Sequence, residues 1–235
     1  LVTHAGGGNV TGTARGLIKA GAGDVEIIGA SVNLAGLHMA SDNAFNRKSF
    51  TTGHTGFGIP FATWPDRSDV PRNAARSLRY LDRYVTVNQG EAFYMTEALA
   101  ALEGLERGPA GNTSLTAAFA IAQDMEDDQM LVVQETEYTG AGKHPMPQLS
   151  FARKNGISIE FGDPDKEECG KNIILPESPE LIKAREFDLN KARKSYIRNA
   201  VNNTGVSSPD DRDIKFLAED AKTSEDFVKE TIAAL

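Results

Sequence analysis

Three consecutive glycines, Gly6-Gly7-Gly8, separate a short apolar segment (Leu1, Val2) from a helix-forming stretch running from Val10 to Lys19. Glycines without Cβ atoms let backbone N–H groups come close to an anion. The start of the following helix adds unpaired donors and a partial positive charge. Asn9, Thr11 and Thr13 supply further side-chain donors. Strand, glycine loop and helix is the layout of a phosphate cradle; a tight turn that binds nothing is the alternative. Two phosphate-loop patterns are excluded by spacing. No Gly-Lys-Ser/Thr follows the glycines, and Gly6, Gly8 and Gly12 leave three residues before the last glycine, where a dinucleotide fingerprint leaves two. The next apolar run, Val25–Val32, also lacks a following acidic residue in the ribose-binding place.

The elements that position this loop are read from periodicity. Val10–Ala20 is predicted helical, closed by Gly21 and Gly23, and Val25–Val32 is a nearly continuous apolar run, as in a buried parallel strand. Residues 36–68 carry Phe45, Phe50, Phe57, Phe61 and Trp64 among glycines and prolines, which suggests an ordered loop or lid. A helix with a basic face (Arg72, Arg76, Arg79, Arg83) is expected from Pro71 to about Tyr84, then a short strand Val85–Val87. Helices are expected over Glu91–Leu105 and Asn112–Met125, and a buried strand over Met130–Gln134. A polar loop, Glu135–His144, follows. Beyond residue 150 the expectation is a mostly helical extension: Ser178-Pro179 opening a helix to about Val201, Ser208-Pro209 opening another, and Thr223-x-x-Asp226 capping the last. The fold class is therefore α/β, an open and mostly parallel sheet over residues 1–150, with a helical extension over 151–235. In such sheets ligands sit beyond the carboxyl ends of the strands. A phosphate-bearing ligand held by Gly6–Asn9 would have its far end within reach of Glu135–His144.

Composition narrows the function classes. The chain has 235 residues, 40% of them hydrophobic and 25% charged, enough for one sizeable core. Its formal net charge of −8 argues against a nucleic-acid or acidic-membrane surface. Cys169 is the sole cysteine, which excludes an internal disulfide or a cysteine-rich metal site and suits a reducing, cytoplasmic setting. No apolar run approaches membrane-spanning length. The chain opens at Leu1 in what reads as the middle of a strand, so a fragment of a longer polypeptide is expected.

The order of these motifs resembles the fold type II pyridoxal-phosphate enzymes, the group of tryptophan synthase β, cysteine synthase and threonine synthase. Ala5–Arg15 looks like their phosphate loop and helix, and Ile27-Ile28-Gly29-Ala30 like the strand that follows. Val85–Val87, Glu103-Gly104-Leu105 and Gly108–Thr113 look like their penultimate strand, helix and small-residue turn. Val132–Thr136 looks like the last strand. The resemblance covers residues 1 to about 145 and implies pyridoxal 5'-phosphate as cofactor. Gly6, Gly7, Gly8 and Asn9 would hold its phosphate and Thr136 would face its ring nitrogen, with Glu135 or Glu137 as carboxylate alternatives. The group's cofactor-binding lysine lies upstream of the phosphate loop and has no counterpart here, so the chain alone is expected to be inactive; Lys143 and Lys19 are poor substitutes.

Within the group, residues 4–16 and 135–145 are similar to the β-subunit family of the 2-amino-4-oxopentanoate thiolases. That family cleaves its amino acid with coenzyme A to acetyl-CoA and alanine in ornithine breakdown, alongside a smaller α subunit, which implies an oligomer. Attack at the C4 carbonyl calls for an acid–base group and an oxyanion donor. Of His38, His54 and His144, the last two are the preferred acid–base candidates, and each also reads as a structural histidine; His4 is expected to pack at the strand end. Alternatives are a β-replacing or β-eliminating lyase of the same fold group, a non-catalytic assembly fragment whose helical tail meets a partner, and a nucleotide-binding protein.

Overall fold

The computed structural model describes residues 1–4, 7–33, 76–109, 111–135, 145–154, 156–168, 171–204 and 209–235. Strands β1 (Val2–Thr3), β2 (Ile28–Val32) and β3 (Arg83–Val87) run parallel, and β6 (Arg185–Glu186) adds antiparallel to β3, giving the order β1-β2-β3-β6. The register sets Val2 beside Gly29 and Ala30 beside Val85. Every residue of β2 is buried, because both sheet faces are covered. Helix α1 (Gly8–Lys19) contributes Val10 and Ala14 to one face, where they pack with Val2, Ile27, Leu81 and Tyr84. Helix α3 (Asn112–Ala122) contributes Ala117 and Ala118 to the other, against Ile28, Ala30, Val85 and Val87. The open, mostly parallel α/β sheet expected from the sequence is the fold observed.

Helix α2 (Gln89–Glu103) leaves the carboxyl end of β3 and packs on a second, two-stranded parallel sheet, β4 (Ser158–Gly162) and β5 (Asn172–Pro176). Phe93 of α2 joins Ile173 of β5 with Leu149 and Ala152 of α4 (Pro145–Lys154) in one buried cluster. The chain closes with α5 (Leu189–Thr204), α6 (Asp211–Ala221) and α7 (Glu225–Ala233), which share a core of Ile197, Leu217, Ala218, Ala221 and Val228. Among the described residues no helix is long and apolar enough to cross a membrane.

Four local expectations are revised. Residues 76–80 are turns, and Arg83 and Tyr84 already belong to β3. The buried Leu78, Leu81 and Tyr84 all face the core, a pattern that reads as helical spacing in the sequence. Met130–Gln134 is an edge segment joined to β1 by the single bridge Val2–Gln134, with Met130 and Val132 exposed while Leu131 and Val133 pack on the core. Ser178-Pro179 opens only a 3-10 turn, Pro179–Leu181, and the helix starts at Leu189. The intervening Lys183–Glu186 is drawn to the β3 edge by Glu91, whose carboxylate accepts from Lys183 N and Arg185 Nη1 at 2.9 and 2.8 Å. Ser224, one residue after the expected Thr223, caps α7 by accepting from Phe227 N.

Candidate active site

The carboxyl ends of β1 and β3 both run into helices, so α1 and α2 point their N-termini at the same edge of the sheet, and α3 begins beside the end of β1. The three helix starts differ in what fills them. At α2 the chain supplies its own carboxyl groups, with burial raising that of Glu167 to about 7. Glu91 accepts from Asn88 N at 2.6 Å in a capping box, and Glu167 accepts from Gln89 N, Gly90 N and Ile174 N at 2.9–3.0 Å. At α3 the Thr3 hydroxyl oxygen accepts from Ser114 N at 3.1 Å. At α1 no side chain caps the helix and its first turn carries no acidic residue. Gly7 sits at φ 81°, a left-handed conformation that glycine adopts without strain, and turns the chain from β1 into α1. A Cβ built on Gly8 would meet nothing within 4 Å. Among the described residues the α1 start is therefore an open set of amide donors with the helix field behind it, fit for a phosphate.

A buried network fixes the strand end beneath this loop. His4 Nδ1 lies 3.1 Å from Tyr84 Oη and its Nε2 lies 2.9 Å from Ser77 Oγ. Ser31 Oγ donates to the His4 carbonyl at 2.5 Å and also meets Tyr84 Oη at 2.5 Å. The His4 amide donates to Ala30 O at 2.7 Å. Burial pushes the His4 imidazole down to about 3 and raises the Tyr84 phenol, so both are neutral at physiological pH. The strand-end packing expected of His4 is found, together with polar contacts to all three parallel strands' surroundings that its sequence neighbours do not announce.

The last apolar segment is clasped to the same end. Leu1 N donates to Val132 O at 2.7 Å and Gln134 N to Leu1 O at 2.9 Å. Thr13 Oγ1 of α1 donates to Gln134 Oε1 at 2.6 Å, and Ser114 Oγ donates to Gln134 O at 3.0 Å. Residues 134 and 135 thus lie against β1, the α1 helix and the start of α3. Three side chains here carry buried polar atoms with no hydrogen-bond partner among the described residues: Thr11 Oγ1 of α1, Asn112 Oδ1 at the first residue of α3, and both carboxyl oxygens of Glu135. Burial lifts the Glu135 carboxyl to about 7, opposed by the charge of the Arg107 guanidinium.

A family described as pyridoxal-phosphate dependent enzyme matches residues 1–135. The chain belongs to that family. Its cofactor, pyridoxal phosphate, fits what the residues present: an uncapped helix start open at Gly8, an unpaired Thr11 hydroxyl on the same helix, and an unpaired carboxyl at the neighbouring strand end. Of the phosphate-binding residues expected from the sequence, Gly7, Gly8 and Asn9 stand at the start of α1, with Gly8 and Asn9 exposed. Gly6, Thr136, His54, His144 and His38 lie outside the described residues, as do residues 36–68. Thr11 Oγ1, Asn112 Oδ1 and the Glu135 carboxyl are the groups whose isolation the sequence did not reveal. Their types were visible, but the lack of a partner is a property of the packing alone.

Two curated relatives match nearly the whole chain. One, from an unknown prokaryotic organism, is 66% identical over 235 residues, 100% of this chain and 50% of its own length. The other, from Acetoanaerobium sticklandii, is 68% identical over 232 residues, 99% of this chain and 49% of its own. Both bear the name 2-amino-4-ketopentanoate thiolase beta subunit. The chain thus spans about half the length of these relatives. No solved structure matches.

Proposed function

We propose that this chain forms part of the β subunit of a 2-amino-4-ketopentanoate thiolase, a pyridoxal-phosphate dependent acyltransferase. It would cleave that amino acid with coenzyme A to acetyl-CoA and alanine in ornithine degradation, in an assembly with a smaller α subunit. The observation that carries this reading is the 66–68% identity to the two thiolase β subunits over 99–100% of the chain. Two units within the chain, residues 1–150 as part of the catalytic domain and 151–235 as an extension, belong to the same reading.

Bound pyridoxal phosphate supplies a sink for the electron pair left on C3 when the C3–C4 bond breaks. The protein's part is to orient and to move protons. The amides at the α1 start, with Gly6, Gly7, Gly8 and Asn9, hold the phosphate dianion against the helix field. The neutral His4–Tyr84–Ser31 network beneath keeps that loop in place without adding charge. Thr136, one residue beyond the segment clasped to β1, is assigned to the ring nitrogen. His54 and His144 are assigned to proton transfer at the C4 carbonyl as coenzyme A attacks.

The test uses the complete gene product with its partner subunit and pyridoxal phosphate. Acetyl-CoA formed from 2-amino-4-oxopentanoate and coenzyme A supports the reading. Turnover of O-substituted serine or threonine with no acetyl-CoA from the oxo acid would replace it with a β-replacing or β-eliminating lyase.

A further inference from the structure

Helix α1 carries the amides assigned to the phosphate, yet little holds it in place. Of its 12 residues only Val10 and Ala14 are buried. Gly8, Gly12 and Gly16 recur at every fourth position, and a Cβ built on any of them would meet nothing within 4 Å. That stripe has nothing to key into. Each glycine also weakens the helix by about 0.5–1 kcal/mol relative to alanine. The apolar contacts of Val10 and Ala14 are non-directional, whereas a hydrogen bond has a preferred length and angle. One such tether is present. Thr13 Oγ1 donates to Gln134 Oε1 at 2.6 Å, and among the described residues this is the one side-chain hydrogen bond that ties α1 to another element. A threonine hydroxyl has a single proton, and inside a helix it commonly goes to the carbonyl four residues back. Here it leaves the helix.

The acceptor is itself anchored. Gln134 N donates to Leu1 O at 2.9 Å, and Gln134 O accepts from Ser114 Oγ at 3.0 Å. Ser114 N in turn donates to the Thr3 hydroxyl oxygen at 3.1 Å. The Gln134 backbone is therefore fixed to the β1 segment and to α3, and its side chain carries that frame across to α1. We propose that Gln134 is a positioning residue for the cofactor's phosphate: through Thr13 it sets where α1 stands along β1, and with it the amides at the start of the helix. Gln134 acts without touching the ligand. One turn of helix carries all of those donors, so a small axial displacement of α1 misaligns them together, and hydrogen bonds weaken steeply with misalignment. Thr13, which the sequence offers as a phosphate donor, is committed to this tether instead. The inference rests on the pyridoxal-phosphate reading of the site.

The experiment compares the complete gene product as wild type, Gln134→Met, Thr13→Val, the two together, and Thr13→Ser. Methionine and valine keep the side-chain shapes while removing the acceptor and the donor; serine keeps the hydroxyl. Fluorescence measures the affinity of each protein for pyridoxal phosphate and for pyridoxal, the same ring without the phosphate. Gln134→Met and Thr13→Val are each expected to weaken pyridoxal phosphate about tenfold, the worth of one hydrogen bond, and to leave pyridoxal unchanged. The double variant should bind no more weakly than either single one, because both remove the same contact, and Thr13→Ser should bind as the wild type does. A general loosening of the fold would weaken both ligands alike. Equal effects on the two ligands, no effect on either, or losses that multiply in the double variant overturn the inference and leave the phosphate site standing. A wild type that binds pyridoxal as tightly as pyridoxal phosphate overturns the site reading, and the inference with it. Should Gln134→Met not fold, Thr13→Val against Thr13→Ser carries the test: a phosphate-dependent loss confined to valine supports the inference, and the same loss in both overturns it.

Discussion

Acidifying the protein from pH 7.5 to pH 5 should cost the wild type about 2 kcal/mol of stability more than it costs a His4→Gln variant. The imidazole ionises at its ordinary value of 6.5 in the unfolded chain and is pushed down to about 3 in the fold. Between those values the unfolded chain binds a proton that the folded one refuses, so the stability present above 6.5 is lost as the pH falls. Each pH unit inside the window is worth about 1.4 kcal/mol, and the window down to pH 3 totals about 5 kcal/mol. The cause is burial: the ring is 2% exposed, with its nitrogens beside Tyr84 Oη and Ser77 Oγ. Urea unfolding followed by circular dichroism at pH 7.5, 6 and 5 on both proteins measures the difference, because the other titrating groups are common to both and cancel. Glutamine retains a donor and an acceptor, so the variant should fold while losing about 1–3 kcal/mol at pH 7.5. A wild-type curve that runs parallel to the variant's across this range would refute the reasoning, since it would mean that His4 accepts a proton in the fold.

Two further substitutions probe how the second small sheet is joined to the first. Gly90→Ala places a Cβ 1.7 Å from Ile174 O, so α2 and β5 must separate by more than an ångström; the expected loss exceeds about 3 kcal/mol, although alanine is the better helix former, and a neutral or stabilising result by urea titration would contradict the packing. Glu91→Ala removes the α2 capping box and leaves Arg185 without its buried partner, for an expected loss of about 3–5 kcal/mol, with Glu91→Gln milder because its amide oxygen can still accept from Lys183 N; equal losses in the two variants, measured by thermal unfolding, would show that the retained acceptor contributes nothing and that the lost charge accounts for the whole effect.

Those junctions mark where the sequence stops being readable. The continuous apolar run of β2 and the strand–glycine–helix order at residues 1–19 are local signals, and each appears where it is expected, whereas α2 ends at its Gly104 cap, short of the Leu105 expected from the sequence. Strand β6 has no local signal at all. It is two charged residues, Arg185 and Glu186, held at the β3 edge by hydrogen bonds from Arg185 to Glu91, 94 positions earlier. The same contact lies between the Ser178-Pro179 signal and the helix, which starts only at Leu189. The edge segment before Glu135 failed in the opposite way. Its apolar residues suggested burial on both faces, but it lies outermost beside β1, where Val132 stays 72% exposed. In the active-site region the residue types were legible, and the presence or absence of a partner was not. Thr11, Thr13, Glu135 and Ser114 are equally polar in the sequence, yet packing pairs Thr13 and Ser114 and leaves the other two unpaired.

The distribution of charge explains why the α1 start can serve an anion. Helix fields of the same sign arrive at this edge of the sheet from α1 and α2. The α2 start is already occupied by the side chains of Glu91 and Glu167, whose carboxyl oxygens accept from its backbone amides. Among the described residues the α1 start has no such occupant, and two groups packed at the end of β1 are kept neutral, with His4 depressed and Tyr84 raised by the same burial. An aspartate in the place of Ser31 or Ser77 could satisfy His4 as well as a hydroxyl does. It would also put a negative charge below the loop and oppose a dianion above it. Neutral hydroxyls orient the loop without spending its field, and the field then remains for a phosphate.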